Sequence, residues 1–500
     1  MQLTLDLTLE SKFVSRLQLI IPLVLWATFA GGQHDAQGAG IDPFLGVSGY
    51  FLFLCLLVLG ARVMSRQAMR GATAFRPSAI GRFHSVLFSL RWLLLAGHVI
   101  ALYFLGWGEA VLSVMPTFAM RMTAPSAMLS VLPVVLTWIG FVWAQYPMDR
   151  AVREQGILHA FDNGDPWHEP PTLRQYVFNA LRVQVLVTLL PVAMVMLLHD
   201  SIVLGVGFAG IEIAQVDVLA MVVSLGVVFF FAPELLRRVL PTRSLPDSPL
   251  REQLQAVCDR LDLHCRDILV WDTHHSVANA AVMGIVPSVR YVMLSDRLLE
   301  TMTPRQVEAV FAHEAGHVVH RHMAWYVVFM IAFVLSIGVV ETAVFRLMNI
   351  HIPTWLPLDA IIVVGSIGTF FAAFGILSRS FERQADLFAA RALTGDGTND
   401  PQPDGVHDFN SALATVARLN NMPLDATAIV KDRRFISAWL ARMSHLGATW
   451  MHGSIRSRMD QLRAMPGNPE HTQRFDRRMN YVRWALLIAL GASITWTIVH

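Results

Sequence analysis

The sequence predicts an all-α multi-pass membrane protein with about nine transmembrane helices and a small β element in its water-facing part. Its 500 residues are 54% hydrophobic and only 15% charged, and their mean hydropathy is +0.48. This composition is far more apolar than that of an ordinary soluble domain. Apolar stretches of membrane-crossing length recur along the chain, and polar segments with helical and strand patterns separate the later ones.

Composition also narrows the range of partners. The formal net charge of +2 gives no reason to expect a nucleic acid or an acidic partner, whereas the apolar content calls for a lipid bilayer. Cys55, Cys258 and Cys265 lack the spacing of a disulfide framework or of a cysteine-ligated zinc site, so we expect thiols facing a reducing cytoplasm. Only Lys12 and Lys431 among the 39 basic residues are lysines. This bias indicates a GC-rich bacterial genome, and hence a bacterial inner membrane.

Nine apolar stretches are candidates for membrane spans, each near the length of about 17–25 residues that a crossing helix needs. The first could be mistaken for a signal peptide, but a second follows so closely that we expect a retained helix. The predicted spans are Leu17–Gly32, Phe44–Ala61, Trp92–Leu112, Ala127–Tyr146, Val183–Leu198, Val216–Leu236, Trp325–Phe345, Leu358–Leu377 and Trp484–Val499.

Loop charges predict the orientation of these spans, because basic residues accumulate on the cytoplasmic side. The segment after the fifth span carries Asp200 and Glu212 and no basic residue. The segment after the second span carries Arg62, Arg66, Arg70, Arg76 and Arg82. We therefore expect the N-terminus and the large polar segments in the cytoplasm, and the C-terminus outside if all nine spans form.

The spans and polar segments together predict five regions. These are a transmembrane region of about six spans (1–239), a cytoplasmic core segment (240–323), a transmembrane hairpin (324–377), the second half of the core (378–483) and a last span (484–500).

The polar segments carry recognisable local patterns. Ser248–Leu261 reads as a helix, and Asp267–Trp271 and Val289–Leu294 read as two short β strands. Pro304–Met323 reads as one helix with proline in its first turn and no proline inside. Thr394–Asp408, rich in Gly, Asp, Asn and Pro, reads as an exposed loop in a largely helical second half.

Within Pro304–Met323, two histidines lie four positions apart and so share one helical face. His313 and His317 have the spacing of two nitrogen ligands of a tetrahedral zinc site. Glu314 stands beside them as a candidate general base for an attacking water. The alternative is a polar helix face with two solvated histidines.

A catalytic zinc site uses three protein ligands, so the third must come from another element. The seventh and eighth spans form a hairpin that returns the chain to the same side, where Glu382 and Asp386 share a helical face. Glu382 could supply a carboxylate oxygen, and Asp386 could accept a hydrogen bond from the outer nitrogen of a ligating histidine. The alternative is a charged helix start in which Arg379 and Arg383 anchor the membrane interface. An isolated Glu-x-x-x-Asp favours that alternative, but its pairing with the His-Glu helix across a hairpin reverses the preference.

These motifs resemble one family. His313-Glu-Ala-Gly-His317, a membrane hairpin and then Ser378-Arg-x-x-Glu382-x-x-Ala-Asp386 are similar to the integral-membrane zinc metallopeptidases that include the type I CAAX prenyl protease and the HtpX quality-control protease.

Further segments between about Leu240 and Leu462 support the resemblance. The approach from Leu294 to the metal helix and the upstream Asn279-Ala-Ala are similar to those of the family. His452-Gly-Ser-Ile-Arg-Ser-Arg458 resembles a family motif that flanks the scissile bond, although the family usually has proline where Gly453 stands.

The resemblance implies a zincin-like catalytic core of the gluzincin type with one Zn²⁺ per chain, and a peptide or protein as substrate. It implies that Asn279 and the strand Val289–Leu294, including Tyr291 and Met293, bind an extended peptide by edge pairing. The resemblance implies that zinc is bound by His313, His317 and Glu382 and that Glu314 activates the water. It also implies that His452 donates to the oxyanion, and that Arg458 steadies either the oxyanion or the metal-site carboxylates. Asp386 would orient a ligating histidine. With three ligands assigned, we interpret His320 and His322 as interfacial polar residues.

The function that the resemblance implies is a membrane-embedded zinc endopeptidase in membrane-protein quality control or peptide processing. The number of spans before the core is closer to the prenyl-protease architecture. One rival is a zinc-binding but inactive scaffold or sensor, against which the intact Glu314 argues. A second rival is a transporter with a metal transit site. A transporter would carry polar residues repeated in a pair of broken helices, and the sequence shows no such repeat.

Overall fold

The computed structural model describes residues 18–30, 42–73, 77–116, 122–163, 168–210, 213–348, 358–394, 400–420, 422 and 452–499. The chain divides into two compact units, Met1–Thr242 and Arg243–His500.

The described part of the first unit is helical. Helix α2 packs against α3 and α5, and their buried side chains include Tyr50, Phe83 and Phe141. A π-helical turn, Leu181–Leu186, joins α6 to α7. The helices are α1 (Gln18–Ala30), α2 (Pro43–Thr73), α3 (Pro77–Phe104), α4 (Trp107–Val114), α5 (Thr123–Asn163), α6 (Leu173–Ala180), α7 (Val187–Phe208) and α8 (Ile213–Val239).

Six segments of the described helices are long and apolar enough to cross a membrane. A helix is suited to this because every backbone polar group inside it is hydrogen-bonded within the segment. The predicted membrane protein with a small β element is confirmed, while the count of nine spans stays a prediction. The six are Pro43–Arg70, Phe83–Phe104, Thr123–Gln155, Leu173–Phe208, Leu219–Val239 and His322–Val340.

The bounds of the predicted third span are wrong. Trp92–Leu112 was expected to be continuous, but α3 ends at Phe104 and α4 begins at Trp107. Gly106 lies between them with a φ of +78°, a left-handed conformation that ends a helix. The crossing segment therefore begins earlier in the chain, at Phe83.

The second unit combines a small sheet with helices. The predicted helix Ser248–Leu261 and strand Asp267–Trp271 are confirmed, and the second strand is displaced to Tyr291–Ser295. The elements from Thr242 onward are β1 (Thr242–Ser244), α9 (Pro249–Arg260), β2 (Asp267–Trp271), β3 (Ala280–Met283), β4 (Tyr291–Ser295), α10 (Asp296–Thr301), α11 (Pro304–Val319), α12 (His322–Met348), α13 (Leu358–Ala392), α14 (Pro403–Leu419), α15 (Ile455–Arg463) and α16 (Pro469–Val499).

Three predicted features fall within longer or shifted elements. The predicted spans Leu358–Leu377 and Trp484–Val499 lie inside α13 and α16, which are not among the six crossing helices. The predicted loop Thr394–Asp408 is too long, because α14 already begins at Pro403; its residues 395–399 lie outside the described ranges.

The sheet has the strand order β1-β2-β4-β3, so β4 lies inside it. Strand β2 pairs with β4 in parallel, with Asp267 opposite Tyr291, and β3 pairs with β4 antiparallel, with Ala280 opposite Leu294. All five residues of β4 are buried. The sheet core and one face of α11 belong to the same hydrophobic cluster.

Helix α11 begins as its sequence predicts and ends earlier. Thr303 caps it reciprocally with Gln306, and Pro304 occupies the first turn. It ends at Val319, because Arg321 adopts a φ of +55° and breaks the predicted continuation to Met323. The chain turns at this break and α12 begins at once, with His322.

Gly316 allows α11 to approach α13 closely. A Cβ atom at this position would lie 3.1 Å from the Cα of Ala385 and 3.1 Å from the ring of Phe388. Such distances are tighter than nearly all Cβ contacts in proteins, so a side chain here would force its neighbours on α13 to shift. The missing side chain therefore sets the separation of the helices that carry the predicted ligands.

We expect Gly316→Val to destabilise the second unit by about 1–3 kcal/mol, because overpacking at a helix contact forces the backbones apart. The measurement is the thermal unfolding midpoint of the detergent-purified full chain. Gly226→Val in α8 is the control, since nothing lies within 4 Å of a Cβ there. Equal midpoints for the two variants would contradict the close approach of α11 and α13.

Candidate metal centre

Three predicted ligands meet in space: His313, His317 and Glu382, which we call the metal centre. The Nε2 atoms of the two histidines are 3.3 Å apart. Glu382 places Oε2 3.6 Å from Nε2 of His313 and Oε1 3.7 Å from Nε2 of His317. Tetrahedral zinc with bonds of about 2.0–2.1 Å separates its ligand atoms by about 3.4 Å. The donor set therefore fits a zinc ion.

The donors come from two packed helices. Helix α11 presents both histidines on one face, and α13 brings Glu382 against that face. The side chain of Glu382 is only 6% exposed. Two apolar side chains on the same turn of α13 are fully buried and hold this turn in place: Phe381, directly before Glu382, and Ala385, three positions after it.

Two further side chains support the centre from behind. Asp386 places Oδ1 3.0 Å from Nδ1 of His313, on the side of the ring opposite the metal-facing nitrogen. Arg458 of α15 donates from Nε to Oδ2 of Asp386 at 2.8 Å, and its Nη1 lies 3.1 Å from Oε2 of Glu382. One guanidinium thus bridges both carboxylates.

This bridge keeps the buried carboxylates charged. Burial alone would raise the pKa of Glu382, but Arg458 and His452 outweigh burial and hold that pKa well below its ordinary value. The pKa of Asp386 is lowered for the same reason, with Arg458 and His313 overcoming burial. Two carboxylates against one guanidinium leave a negative charge that favours a divalent cation.

The two histidines differ in their protonation. Burial lowers the pKa of His317 to about 4, so its imidazole is neutral near pH 7 and can offer a lone pair. Burial opposes the charged form of His313 as well, but the hydrogen bond to and charge of Asp386 outweigh it and raise its pKa. A metal ion must therefore compete with a proton at His313.

Glu314 contacts the sheet. Its Oε2 accepts a hydrogen bond from the backbone N–H of Val282 in β3 at 3.3 Å. Burial raises the pKa of Glu314 above its ordinary value. A carboxylate with a raised pKa is suited to take a proton and give it up again.

His452 also reaches the centre. Its Nδ1 lies 2.9 Å from Oε1 of Glu382, and its side chain is 54% exposed. Gly453 follows with a φ of +75°, a backbone conformation that proline cannot adopt. The departure from the family motif at this position therefore has a local cause in the turn. The role of His452 as an oxyanion donor stays a prediction.

The predicted substrate strand is wrong. Tyr291 and Met293 belong to β4, which has β2 on one side and β3 on the other, and both side chains are buried. Val289 is buried in a 3₁₀ turn before β4. Edge pairing needs unpaired backbone groups, and β4 has a partner on each side. Among the described strands, β3 is the one beside Glu314 that is paired on one side only.

The short strand β3 escaped sequence analysis because Ala280-Ala-Val-Met283 has neither the length nor the β-branched content of a typical strand. Asn279, which was predicted to bind substrate, is exposed and lies directly before it. Its carbonyl accepts from the N–H of Ser295, which continues the pairing of β3 with β4.

His322 is not an interfacial residue as the sequence suggested. Its side chain is fully buried, and its Nδ1 lies 2.9 Å from Nδ1 of His317. Five positions separate the two residues, a spacing that would not bring them together on a continuous helix. The break after α11 makes the contact, and no sequence pattern revealed it. His320, at that break, is half-buried.

Several known proteins are similar to this chain. Residues 244–463 match the family model of peptidase family M48. The CAAX prenyl protease 1 homolog of Arabidopsis thaliana is 27% identical over 166 residues, which cover 29% of this chain and 37% of that protein. The chain therefore matches little more than a third of that relative's length. The crystal structure of S. mikatae Ste24p is similar at a TM-score of 0.43 and 13% identity, over 82% of this chain and 98% of the other.

The described chain thus combines six helices of membrane-crossing length with a His-His-Glu donor set of the kind that binds zinc. The segment that carries this donor set, residues 244–463, is similar to peptidase family M48.

We expect Arg458→Ala to destabilise the second unit by about 3–5 kcal/mol, because it leaves Glu382 and Asp386 buried without their cation. Arg463→Ala, at the exposed end of the same helix, should change stability by less than about 0.5 kcal/mol. Thermal unfolding of both purified variants measures the difference. Similar losses in the two would mean that the bridge contributes little.

Proposed function

We propose that the chain is a membrane-embedded endopeptidase that binds one Zn²⁺ through His313, His317 and Glu382. The observation that carries the proposal is the convergence of these three donors beside Glu314, at the open side of β3. The two carboxylates held charged by Arg458 add an electrostatic preference for a cation.

The residues of the chain then divide the work of peptide hydrolysis. When bound, zinc supplies Lewis-acid chemistry at the scissile carbonyl and makes water acidic enough to lose a proton near neutral pH. Glu314 takes that proton and delivers it to the departing amine. His452, half-exposed next to Glu382, is placed to donate to the developing oxyanion. Arg458 keeps Glu382 and Asp386 ionised and oriented.

An extended substrate would bind along β3. The N–H of Val282 is directed at Glu314 and away from β4. Because backbone groups alternate in direction along an antiparallel strand, the N–H and C=O of Ala280 also point away from β4. A peptide that pairs with these groups passes directly beside Glu314. Such pairing recognises backbone groups and not particular side chains, so we expect cleavage of unfolded chains of many different sequences.

The biological role we propose is quality control of membrane proteins or peptide processing at a bacterial inner membrane, with the site facing the cytoplasm. The arginine-rich composition and the positive-inside pattern of the loops support this location. The similarity to a protein called CAAX prenyl protease 1 homolog supports peptide processing as one of the two proposed roles. Prenylated substrates are not expected in bacteria, so we favour general peptides.

The central test is cleavage of casein by detergent-purified protein, with zinc quantified in each sample. We expect Glu314→Gln to keep stoichiometric zinc and to lose about 10²–10⁴-fold in rate, because only the general base is removed. His313→Ala and Glu382→Ala should lose zinc. The control is Glu252→Gln, in the first turn of α9.

Full activity in Glu314→Gln would falsify its role as the base. Stoichiometric zinc in both His313→Ala and Glu382→Ala would remove them as ligands. Zinc without cleavage in the wild type would favour a scaffold over an enzyme.

Ala280→Pro tests the substrate strand. It removes one N–H on the open side of β3, so the KM for an unfolded substrate should rise about 2- to 10-fold while zinc content stays the same. Ala281→Pro is the contrasting control, because its N–H is on the β4 side and its loss should lower the unfolding midpoint instead. An unchanged KM in a well-folded Ala280→Pro would argue against pairing with β3.

A further inference from the structure

Four side chains from four helices form a connected series behind the metal centre. His317 of α11 contacts His322 of α12, with 2.9 Å between their Nδ1 atoms. His322 Nε2 lies 3.1 Å from Oε1 of Gln384 in α13. The same Oε1 accepts from Nη2 of Arg483 in α16 at 3.2 Å. We call His322, Gln384 and Arg483 the relay.

The chemistry of each group decides where the protons lie. A guanidinium only donates, so the atom of Gln384 that faces Arg483 must be its oxygen. That oxygen only accepts, so Nε2 of His322 must carry a proton. His322 is fully buried, which favours the neutral ring, and its Nδ1 is then an acceptor.

The direction of the last hydrogen bond follows. Because Nδ1 of His322 accepts, Nδ1 of His317 must donate its proton. A neutral imidazole carries one proton, so Nε2 of His317 is left with a lone pair. This Nε2 is the atom that lies 3.3 Å from Nε2 of His313 and faces Glu382. The relay thus selects the tautomer of His317 that can bind a metal.

The backbone is shaped to allow this contact. On a continuous helix, residues five apart point in directions about 140° apart. The break at His320 and Arg321 brings the two rings together instead. Arg483 also donates to the carbonyl of His320 at 3.4 Å. The ring of Phe381 stacks on His322 with 4.2 Å between centroids and 3° between planes.

We propose that the relay of His322, Gln384 and Arg483 positions His317, so that the zinc affinity of the metal centre depends on a side chain of α16. This inference rests on the proposed zinc function. The three are positioning residues, because none of them supplies a ligand atom to the metal centre. Helix α16 packs against α12, so the relay ties metal binding to the docking of the C-terminal helix.

The experiment compares zinc dissociation constants of the purified full chain, measured by competition with a chromogenic chelator. Gln384→Met removes the acceptor and Arg483→Met removes the donor, each with little change in length. Both should weaken zinc binding about 10- to 100-fold, the range typical of lost partners of a ligating histidine. Having two sites keeps the test decisive if one variant fails to fold.

Conservative variants separate hydrogen bonding from packing. Gln384→Glu keeps an acceptor and Arg483→Lys keeps a donor, so both should bind zinc within about threefold of the wild type. Arg474→Met is the matched control, since Arg474 is an exposed residue of the same helix that pairs with Glu470. The visible spectrum of the Co²⁺-loaded protein should change in the two Met variants and not in the control.

The outcomes distinguish the relay from the proposed function. A wild type that binds no zinc would overturn both. A wild type that binds zinc, with Met variants of equal affinity, would overturn the relay alone. Conservative variants as weak as the Met variants would assign the effect to packing and also overturn the relay.

Discussion

The burial of two carboxylates against a single guanidinium is the interaction on which the catalytic unit depends. Glu382 and Asp386 are almost entirely removed from water, and Arg458 contacts both. Without that cation their charges would be strongly disfavoured in the interior. With Arg458 in place, Glu382 stays ionised beside the two histidines, and Asp386 stays ionised at the outer nitrogen of His313. The negative charge that remains on the two carboxylates would favour the binding of a cation in the proposed metal centre.

Close packing of α11 and α13 brings this charge cluster to the two histidines of the candidate metal centre. Gly316 permits an approach that a side chain would widen, and the approach sets the spacing of the three candidate donors. The same helix places Glu314 next to β3, where its carboxylate accepts a hydrogen bond from the N–H of Val282. Helix α11 therefore links Glu314, the candidate donors and the open strand, an arrangement that would suit the proposed catalysis by positioned groups.

Each metal-binding histidine is oriented by a different partner. His313 has a carboxylate at its outer nitrogen, whereas His317 has a second histidine that leads to an amide and a guanidinium. A carboxylate holds His313 through charge, whereas the relay would hold His317 through the direction of its hydrogen bonds. The partners of His313 come from α13 and α15, and those of His317 come from α12, α13 and α16. The proposed metal binding would therefore depend on the packing of most helices in the second unit.

The sequence by itself determined the membrane class, the resemblance to one peptidase family and the local elements whose signals are short in range. Helix α9, strand β2 and the start of α11 follow from proline, capping residues and apolar periodicity. The spacing of His313 and His317 and of Glu382 and Asp386 pointed to the candidate donors and to a carboxylate behind them, because a helix places residues four apart on one face.

Only the tertiary structure decided which strand is open and what lies behind His317. Strand β3 is too short and too rich in alanine to be recognised locally, and a strand becomes an edge or a centre only through pairing with distant residues. His322 joins the metal centre through a left-handed residue at Arg321 and partners more than sixty positions away. Contacts of this kind arise from packing between elements, and no periodicity along the chain encodes them.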